Sequence, residues 1–135
     1  MMRLPSCTSL ARSLCFSSYR AYATGINLAC PPVIVLAYHR VAQLDDDAMQ
    51  LAVTPRYFAE QLEVIAATFD EILRFDAECL RTSRPAVCLT FDDGYADNYT
   101  TALPILERFQ IPATFFISTG HVENAWPYWW DVLNA

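Results

Sequence analysis

The residues with the clearest capacity for chemistry are two adjacent carboxylates, Asp92 and Asp93. They end an apolar run, A-V-C-L-T-F-D-D-G from Ala86 to Gly94, that carries no charge before the aspartates and follows Pro85. An uninterrupted apolar run of this length predicts a parallel β-strand covered on both faces. The carboxyl end of such a strand is where the loops of α/β proteins converge and build their sites.

Two neighbouring carboxylates disfavour each other's ionised form unless a cation lies beside them. A divalent metal would relieve this repulsion, with one aspartate as metal ligand and the other free as a base towards water. A solvated turn is an equally open alternative, because Asp93-Gly94 is a common turn pair. The residue types and their spacing do not choose between the two.

Each of the two histidines follows an apolar segment that predicts a strand. His39 follows Val33–Tyr38 and would lie on the same rim, either beside a substrate or as a structural hydrogen-bonding group. His121 follows Ala113–Ile117 and is the nearest thing to a second metal ligand. The two histidines do not form the i, i+4 pair that presents two imidazoles from one helical turn.

Four aromatic residues lie within residues 126–130: Trp126, Tyr128, Trp129 and Trp130. Aromatic rings with a polar handle can stack on the apolar faces of sugars, which makes Trp129 a candidate substrate contact. Packing of a loop or of the next helix is the other reading of the same residues.

Strands and helices alternate in the predicted order, which indicates right-handed crossovers and a parallel sheet or barrel. Thr54 and Pro55 suit the first positions of an amphipathic helix with an apolar stripe. Pro104 is tolerable only in the first turn of a later helix. The predicted elements are a strand at 33–38, a helix from 55 with the stripe Phe58, Leu62, Ile65 and Phe69, a strand at 71–74, a short helical or irregular segment at 75–82, the strand from Ala86, a helix from near Thr100 to Gln110, and a strand at 113–117.

The charge distribution argues against a nucleic-acid partner. The net charge is −6, and residues 41–135 hold fifteen acids against five arginines. Nucleic-acid surfaces need clustered basic residues. No stretch has the roughly 20 apolar residues of a membrane span. The five cysteines include no C-x-x-C pair, so the sequence indicates neither a disulfide framework nor a zinc knuckle.

Residues 1–30 predict a disordered or targeting-like N-terminal arm. They are rich in Ser and Arg, contain no acid, and never reach an apolar run long enough for a secretory signal. The periodic pattern begins at Pro31, so residues 31–135 are the predicted globular part.

That part of the chain resembles the polysaccharide deacetylases, the NodB-homology proteins of carbohydrate esterase family 4. The resemblance rests on L-T-F-D-D-G-Y at 89–95, A-L-P-I-L at 102–106 and I-P-A-T-F-F-I-S-T-G at 111–120. It continues upstream through V-L-A-Y-H-R-V at 35–41 and V-T-P-R-Y-F-A-E-Q-L at 53–62, and downstream through P-Y-W-W-D-V-L at 127–133.

The resemblance implies an α/β fold, a partial (β/α) barrel that ends after about its fourth strand. It implies a metal-dependent hydrolase that removes acetyl groups from N-acetylated or O-acetylated sugar polymers, with a divalent cation such as zinc. By position, Asp92 is the general base and Asp93 the metal ligand, while Tyr95, His39 and Trp129 are substrate contacts. Family members act on envelope or external glycans, although residues 1–30 contain no convincing export signal.

The family takes its two metal histidines from an H-x-x-x-H motif that this sequence lacks, so we expect the chain alone to be inactive. One alternative is therefore a catalytically incomplete carbohydrate-binding remnant or gene fragment. Another is a phosphatase of the haloacid dehalogenase type, which also places aspartates at the end of an apolar strand. There, however, the two aspartates are separated by one residue, whereas Asp92 and Asp93 are adjacent. The sugar polymer and the oligomeric state are not readable from the sequence.

Overall fold

The computed structural model describes residues 33–77, 79–122 and 127–132. The predicted N-terminal arm and Trp126 lie outside the described residues. The elements are β1 (Val33–Tyr38), β2 (Arg40–Val41), β3 (Ala52–Val53), α1 (Pro55–Thr68), β4 (Glu71–Leu73), a 3₁₀ turn (Cys79–Arg81), β5 (Ala86–Phe91), a π turn (Asn98–Ala102), α2 (Leu103–Phe109), β6 (Thr114–Phe115), a second 3₁₀ turn (Thr119–His121) and α3 (Trp129–Val132).

Strand β5 is the centre of a parallel sheet, as its apolar sequence predicts. All six of its residues are buried. Strand β1 pairs with one edge along the whole length, from Val33 opposite Ala86 to Tyr38 opposite Phe91. The other edge is shared, because β4 pairs with the first half of β5 and β6 with its end. The predicted parallel α/β architecture is therefore confirmed.

Strand β6 is shorter than predicted. The sequence predicts a strand over 113–117, but only Thr114 and Phe115 pair with β5. The amide of Phe116 still donates to the Phe91 carbonyl at 2.7 Å, and there β5 ends. Phe116 and Ile117 are about half exposed, at 47% and 55%. Strand propensity alone does not extend a strand beyond its hydrogen-bonding partner.

The core lies between the sheet and the apolar stripe of α1. Helix α1 begins at the predicted residue, where the Thr54 hydroxyl accepts a hydrogen bond from the Tyr57 amide. Its residues Phe58, Leu62 and Ile65 are buried. The stripe was predicted to continue to Phe69, but the helix ends at Thr68 and Phe69 packs against the core from just outside it.

The second helical segment begins with a π turn rather than near Thr100. In this turn the Leu103 amide donates to the Asn98 carbonyl, five residues back. Pro104 lies in the first turn of α2, as its missing amide requires. Gln110 caps α2 in the left-handed conformation with φ of 55°. Within the described ranges, every helix is too short or too polar to traverse a bilayer.

Cys79 and Cys88 are both buried free thiols, and the other three cysteines lie outside the described residues. Burial raises the pKa of the Cys88 thiol to about 11, and the nearby Cys79 and Asp76 side chains act in the same direction. A thiol in this state stays protonated and behaves as a small apolar group. This agrees with the prediction that the apolar run from Ala86, which contains Cys88, is a strand covered on both faces.

Candidate active site

Asp92 and Asp93 lie directly after β5 in a three-residue turn. The Asp92 amide donates to the Tyr38 carbonyl at 2.9 Å, which continues the pairing of β1 with β5 by one residue. The Gly94 amide donates to the Asp92 carbonyl, also at 2.9 Å, and Asp93 between them has φ of 68°. An i to i+2 hydrogen bond around a residue of positive φ is the rare, strained form of the γ-turn. The acidic pair is thus held in a defined and strained conformation.

Gly94 is required at this turn for two reasons. Its φ is 73°, a conformation that residues with a Cβ adopt at a cost. A Cβ at this position would also lie 3.2 Å from two side-chain carbons of Ile117, in the segment after β6. The turn after β5 therefore packs closely against the chain that leaves the neighbouring strand.

The structure places His39 beside Asp93. The His39 Nε2 and Asp93 Oδ2 atoms are 4.0 Å apart, and the side chains are 33% and 20% exposed. This proximity follows from the register, because Tyr38 pairs with Phe91 and the residues that follow them leave the sheet together. An imidazole and a carboxylate from two strand ends therefore face each other on one rim.

Tyr95 does not stand open on this rim but lies within a polar network. Its hydroxyl accepts from the Trp130 indole at 2.8 Å and donates to the Asp131 carboxylate at 3.0 Å. The pKa of Tyr95 is raised to about 12, and burial of the hydroxyl is the largest cause. The hydrogen bond from Trp130 acts in the opposite direction, Asp131 raises the pKa further, and the positive charge of Arg40 lowers it. The hydroxyl is therefore a neutral donor across the physiological pH range.

Arg40 and Asp97 connect the network to β2, and sequence reasoning singled out neither residue. The Arg40 Nε donates to Asp97 Oδ2 at 3.0 Å, while Asp97 Oδ1 accepts from the Val41 amide at 3.0 Å. The Arg40 guanidinium also lies over the Tyr95 ring, 4.4 Å from its centroid, and 3.8 Å from Asp131. A lone arginine and a lone aspartate 57 positions apart carry no sequence signal for this pairing.

Tyr128 connects the aromatic segment, residues 127–130, to the acidic turn, Asp92–Gly94. The Tyr128 hydroxyl donates to the Asp93 backbone carbonyl at 2.6 Å. Its ring is stacked on Trp130 at 4.7 Å and lies 4.2 Å from the His121 ring. Trp129 is 63% exposed and meets Trp130 edge to face at 5.3 Å. Tyr128 and Trp130 therefore pack, whereas Trp129 stays largely open to solvent.

The side chains on this rim are of types that bind divalent metals, but too few of the described ones lie close together. Carboxylate oxygen and imidazole nitrogen are ligands that zinc accepts. Among residues 33–77, 79–122 and 127–132, however, no group of three His, Cys, Asp or Glu side chains could hold a metal ion. His121 contacts the Tyr128 ring. The described residues thus do not form a complete metal site.

The comparisons with known proteins point to one family. The family model for polysaccharide deacetylase matches residues 80–134, the part of the chain that contains β5, the acidic turn and the aromatic segment. Over these residues the chain is similar to the polysaccharide deacetylases. It is 29% identical over 107 residues to a poly-β-1,6-N-acetyl-D-glucosamine N-deacetylase of Staphylococcus epidermidis, a match that covers 66% of the chain and 37% of that protein.

Two further comparisons agree with this family. The provisionally named polysaccharide deacetylase YxkH of Bacillus subtilis is 46% identical over 44 residues, which are 30% of this chain and 16% of YxkH. A solved de-N-acetylase from Aggregatibacter actinomycetemcomitans has a TM-score of 0.59 and 26% identity, over 72% of this chain and 43% of that one. The chain therefore spans less than half of the polysaccharide deacetylases that it matches here.

Proposed function

We propose that this chain is part of a metal-dependent deacetylase that hydrolyses the acetyl groups of N-acetylated, or O-acetylated, sugar polymers. The observation that carries the proposal is the strained turn at the end of β5, which presents Asp92 and Asp93 on the rim where β1 also ends. The similar proteins from Staphylococcus epidermidis and Aggregatibacter actinomycetemcomitans are an N-deacetylase and a de-N-acetylase, which favours the N-acetyl group as substrate.

In this proposal Asp93 is a metal ligand and Asp92 is the general base. A divalent cation such as zinc, when bound, supplies Lewis acidity to the acyl oxygen and makes a water molecule more acidic. Asp92 would take a proton from the attacking water as the water oxygen forms a bond to the acyl carbon. The bond between the acyl carbon and the sugar nitrogen would then break, and the proton held by Asp92 would pass to the leaving nitrogen, which gives acetate and a free amine. His39, whose Nε2 atom is 4.0 Å from Asp93 Oδ2, is the proposed substrate-side group on this rim.

Tyr95 and Trp129 are the proposed contacts to the sugar. Tyr95 is partly enclosed and Trp129 is largely exposed, so we expect them to contact a sugar in different ways. The Tyr95 hydroxyl is engaged by Trp130 and Asp131, and the Arg40 guanidinium lies over its ring, so only the uncovered part of the ring could contact a substrate. Trp129 is 63% exposed, and its face is available for stacking on a sugar ring.

A carbohydrate-binding domain without catalysis is the second candidate. It is favoured by the incomplete set of metal ligands among the described residues, together with the exposed Trp129. A phosphatase is not favoured, because the family match covers the acidic turn itself and is to a deacetylase.

A titration with Mn²⁺, followed by paramagnetic broadening of the backbone NMR signals of Asp93 and Gly94, tests the metal role. We expect Asp93→Asn to raise the Mn²⁺ concentration needed for broadening by about tenfold. Asp92→Asn removes the same charge from the neighbouring residue and should have a much smaller effect. Equal effects of the two variants, or no broadening in the unaltered chain, would remove Asp93 as the ligand.

Acetate release from N-acetylated glucosamine oligomers in the presence of Zn²⁺ tests the catalytic role. We expect no turnover by the 135-residue chain, since one carboxylate does not retain a catalytic metal. Turnover would show that the described ligands suffice. Oligomer binding that is lost in Trp129→Ala, without acetate release, would instead favour the carbohydrate-binding candidate.

A further inference from the structure

Asp93 owes its conformation to more than its own strand. The backbone of Asp93 has a φ of 68°. A residue other than glycine keeps such a conformation only when its surroundings enforce it. The Asp92 side of the turn is fixed by the hydrogen bond to the Tyr38 carbonyl. On the other side, the Asp93 carbonyl accepts a 2.6 Å hydrogen bond from the Tyr128 hydroxyl, 35 residues further along the chain.

Tyr128 is well placed to hold this carbonyl because its ring is confined on several sides. Trp130 stacks on it at 4.7 Å with an interplanar angle of 5°. The Tyr95 and His121 rings lie 5.3 Å and 4.2 Å from it. A confined ring leaves its hydroxyl little freedom, so the hydrogen bond to Asp93 carries little additional entropic cost.

The stack is itself tied to the sheet through polar contacts. The Trp130 indole donates to the Tyr95 hydroxyl at 2.8 Å, and this hydroxyl donates to Asp131 at 3.0 Å. Asp131 lies 3.8 Å from Arg40, in the strand that follows β1. The segment 128–131 is therefore attached both to the loop after β5 and to β2, on either side of the acidic turn.

We propose that Tyr128 is a positioning residue: its hydroxyl holds the Asp93 carbonyl and thereby fixes the direction of the Asp93 carboxylate towards His39. The importance of Tyr128 for catalysis rests on the proposed function, in which Asp93 binds the metal. The hydrogen bond acts on the backbone, so Tyr128 sets the orientation of the ligand without touching the metal or the substrate.

The direct test is Tyr128→Phe, which keeps the ring stack and removes only the hydroxyl. We expect the carbonyl carbon of Asp93 and the amide of Gly94 to shift in NMR spectra recorded without metal. We also expect the Gly94 amide to exchange with solvent roughly fivefold faster, as the loss of one hydrogen bond implies. Tyr57→Phe is the matched control, since Tyr57 is 59% exposed in α1 and should leave these signals unchanged.

The Mn²⁺ titration separates this inference from the proposed function. If Asp93 binds metal, Tyr128→Phe should raise the broadening midpoint by about tenfold at an unchanged thermal midpoint, as for other groups that orient metal ligands. Broadening in the unaltered chain with the same midpoint in Tyr128→Phe would overturn the positioning role and leave the proposed function intact. No broadening in the unaltered chain would count against Asp93 as a metal ligand, while the metal-free signals of Asp93 and Gly94 would still decide whether Tyr128 holds the turn.

A second variant keeps the proposal open to refutation if Tyr128→Phe does not fold. Asp131→Asn retains the side-chain size and weakens the attachment of segment 128–131 to Arg40. We expect it to shift the same Asp93 and Gly94 signals in the same direction by a smaller amount. Unchanged signals in a folded Asp131→Asn chain would contradict a path from this segment to the acidic turn.

Discussion

Strands β5 and β6 end next to each other on one rim, yet only β5 ends in a rigid turn. β5 has a partner on both edges and all six of its residues are buried. β6 has two paired residues, and the two that follow are about half exposed. Both segments have strongly β-prone sequences, so propensity does not explain the difference. Pairing on both edges is what makes a strand end precise enough to carry a site.

The largest contrast should follow removal of one phenylalanine ring from each strand end. Phe91 is fully buried against the rings of Tyr38, Phe58 and Phe115. We expect Phe91→Ala to lower the free energy of unfolding by about 3–5 kcal/mol. The matched Phe116→Ala should lower it by less than about 1 kcal/mol, because that ring is 47% exposed. Urea unfolding measures both, and similar losses would contradict the comparison.

A smaller effect should follow from adding a methyl group at the acidic turn. Gly94→Ala places a Cβ at a φ of 73° and 3.2 Å from Ile117. We expect a loss of about 1–2 kcal/mol in the free energy of unfolding. Gly120→Ala is the control, because nothing lies within 4 Å of its added Cβ. If Gly120→Ala were the more damaging of the two, the turn after β5 would not be the constrained one.

The smallest effect should follow from removing a hydrogen bond between the chain after β4 and strand β6, since β4 and β6 pair with the same edge of β5. We call this contact the junction. There the Thr114 hydroxyl accepts from the Phe75 amide at 3.0 Å. We expect Thr114→Val to lower the free energy of unfolding by about 1 kcal/mol, because it leaves that amide without its acceptor. Thr100→Val changes an exposed threonine whose hydroxyl donates to the Ala96 carbonyl in its own helical turn, and it should be nearly neutral. Equal thermal midpoints for the two variants would show that the junction contributes nothing.

The sequence predicted the elements where one local rule decided them. Thr54 and Pro55 set the start of α1, and the apolar run at 86–91 set the central strand. Prediction was wrong where a neighbour decided the outcome. The strand at 113–117 was too long because its length depends on where β5 stops, and the helix predicted from near Thr100 begins earlier as a π turn.

The candidate site divides in the same way. The order L-T-F-D-D-G-Y was enough to single out Asp92, Asp93 and Tyr95, and a strand ending at Tyr38 was enough to suggest His39 for the rim. The catalytic and substrate roles of these residues stay predictions. The 4.0 Å approach of His39 to Asp93 could not be predicted, because it depends on the register between β1 and β5.

The sequence by itself determined the resemblance to polysaccharide deacetylases, the parallel α/β order and the place of the acidic pair at the end of a buried strand. These follow from local patterns, namely an apolar run, a capping residue and a short motif. Only the tertiary structure decided that Arg40 and Asp97 pair and that Tyr128 holds the carbonyl of Asp93. Contacts between residues 35 or 57 positions apart depend on how the strand ends and the aromatic segment pack, and no local pattern encodes that packing.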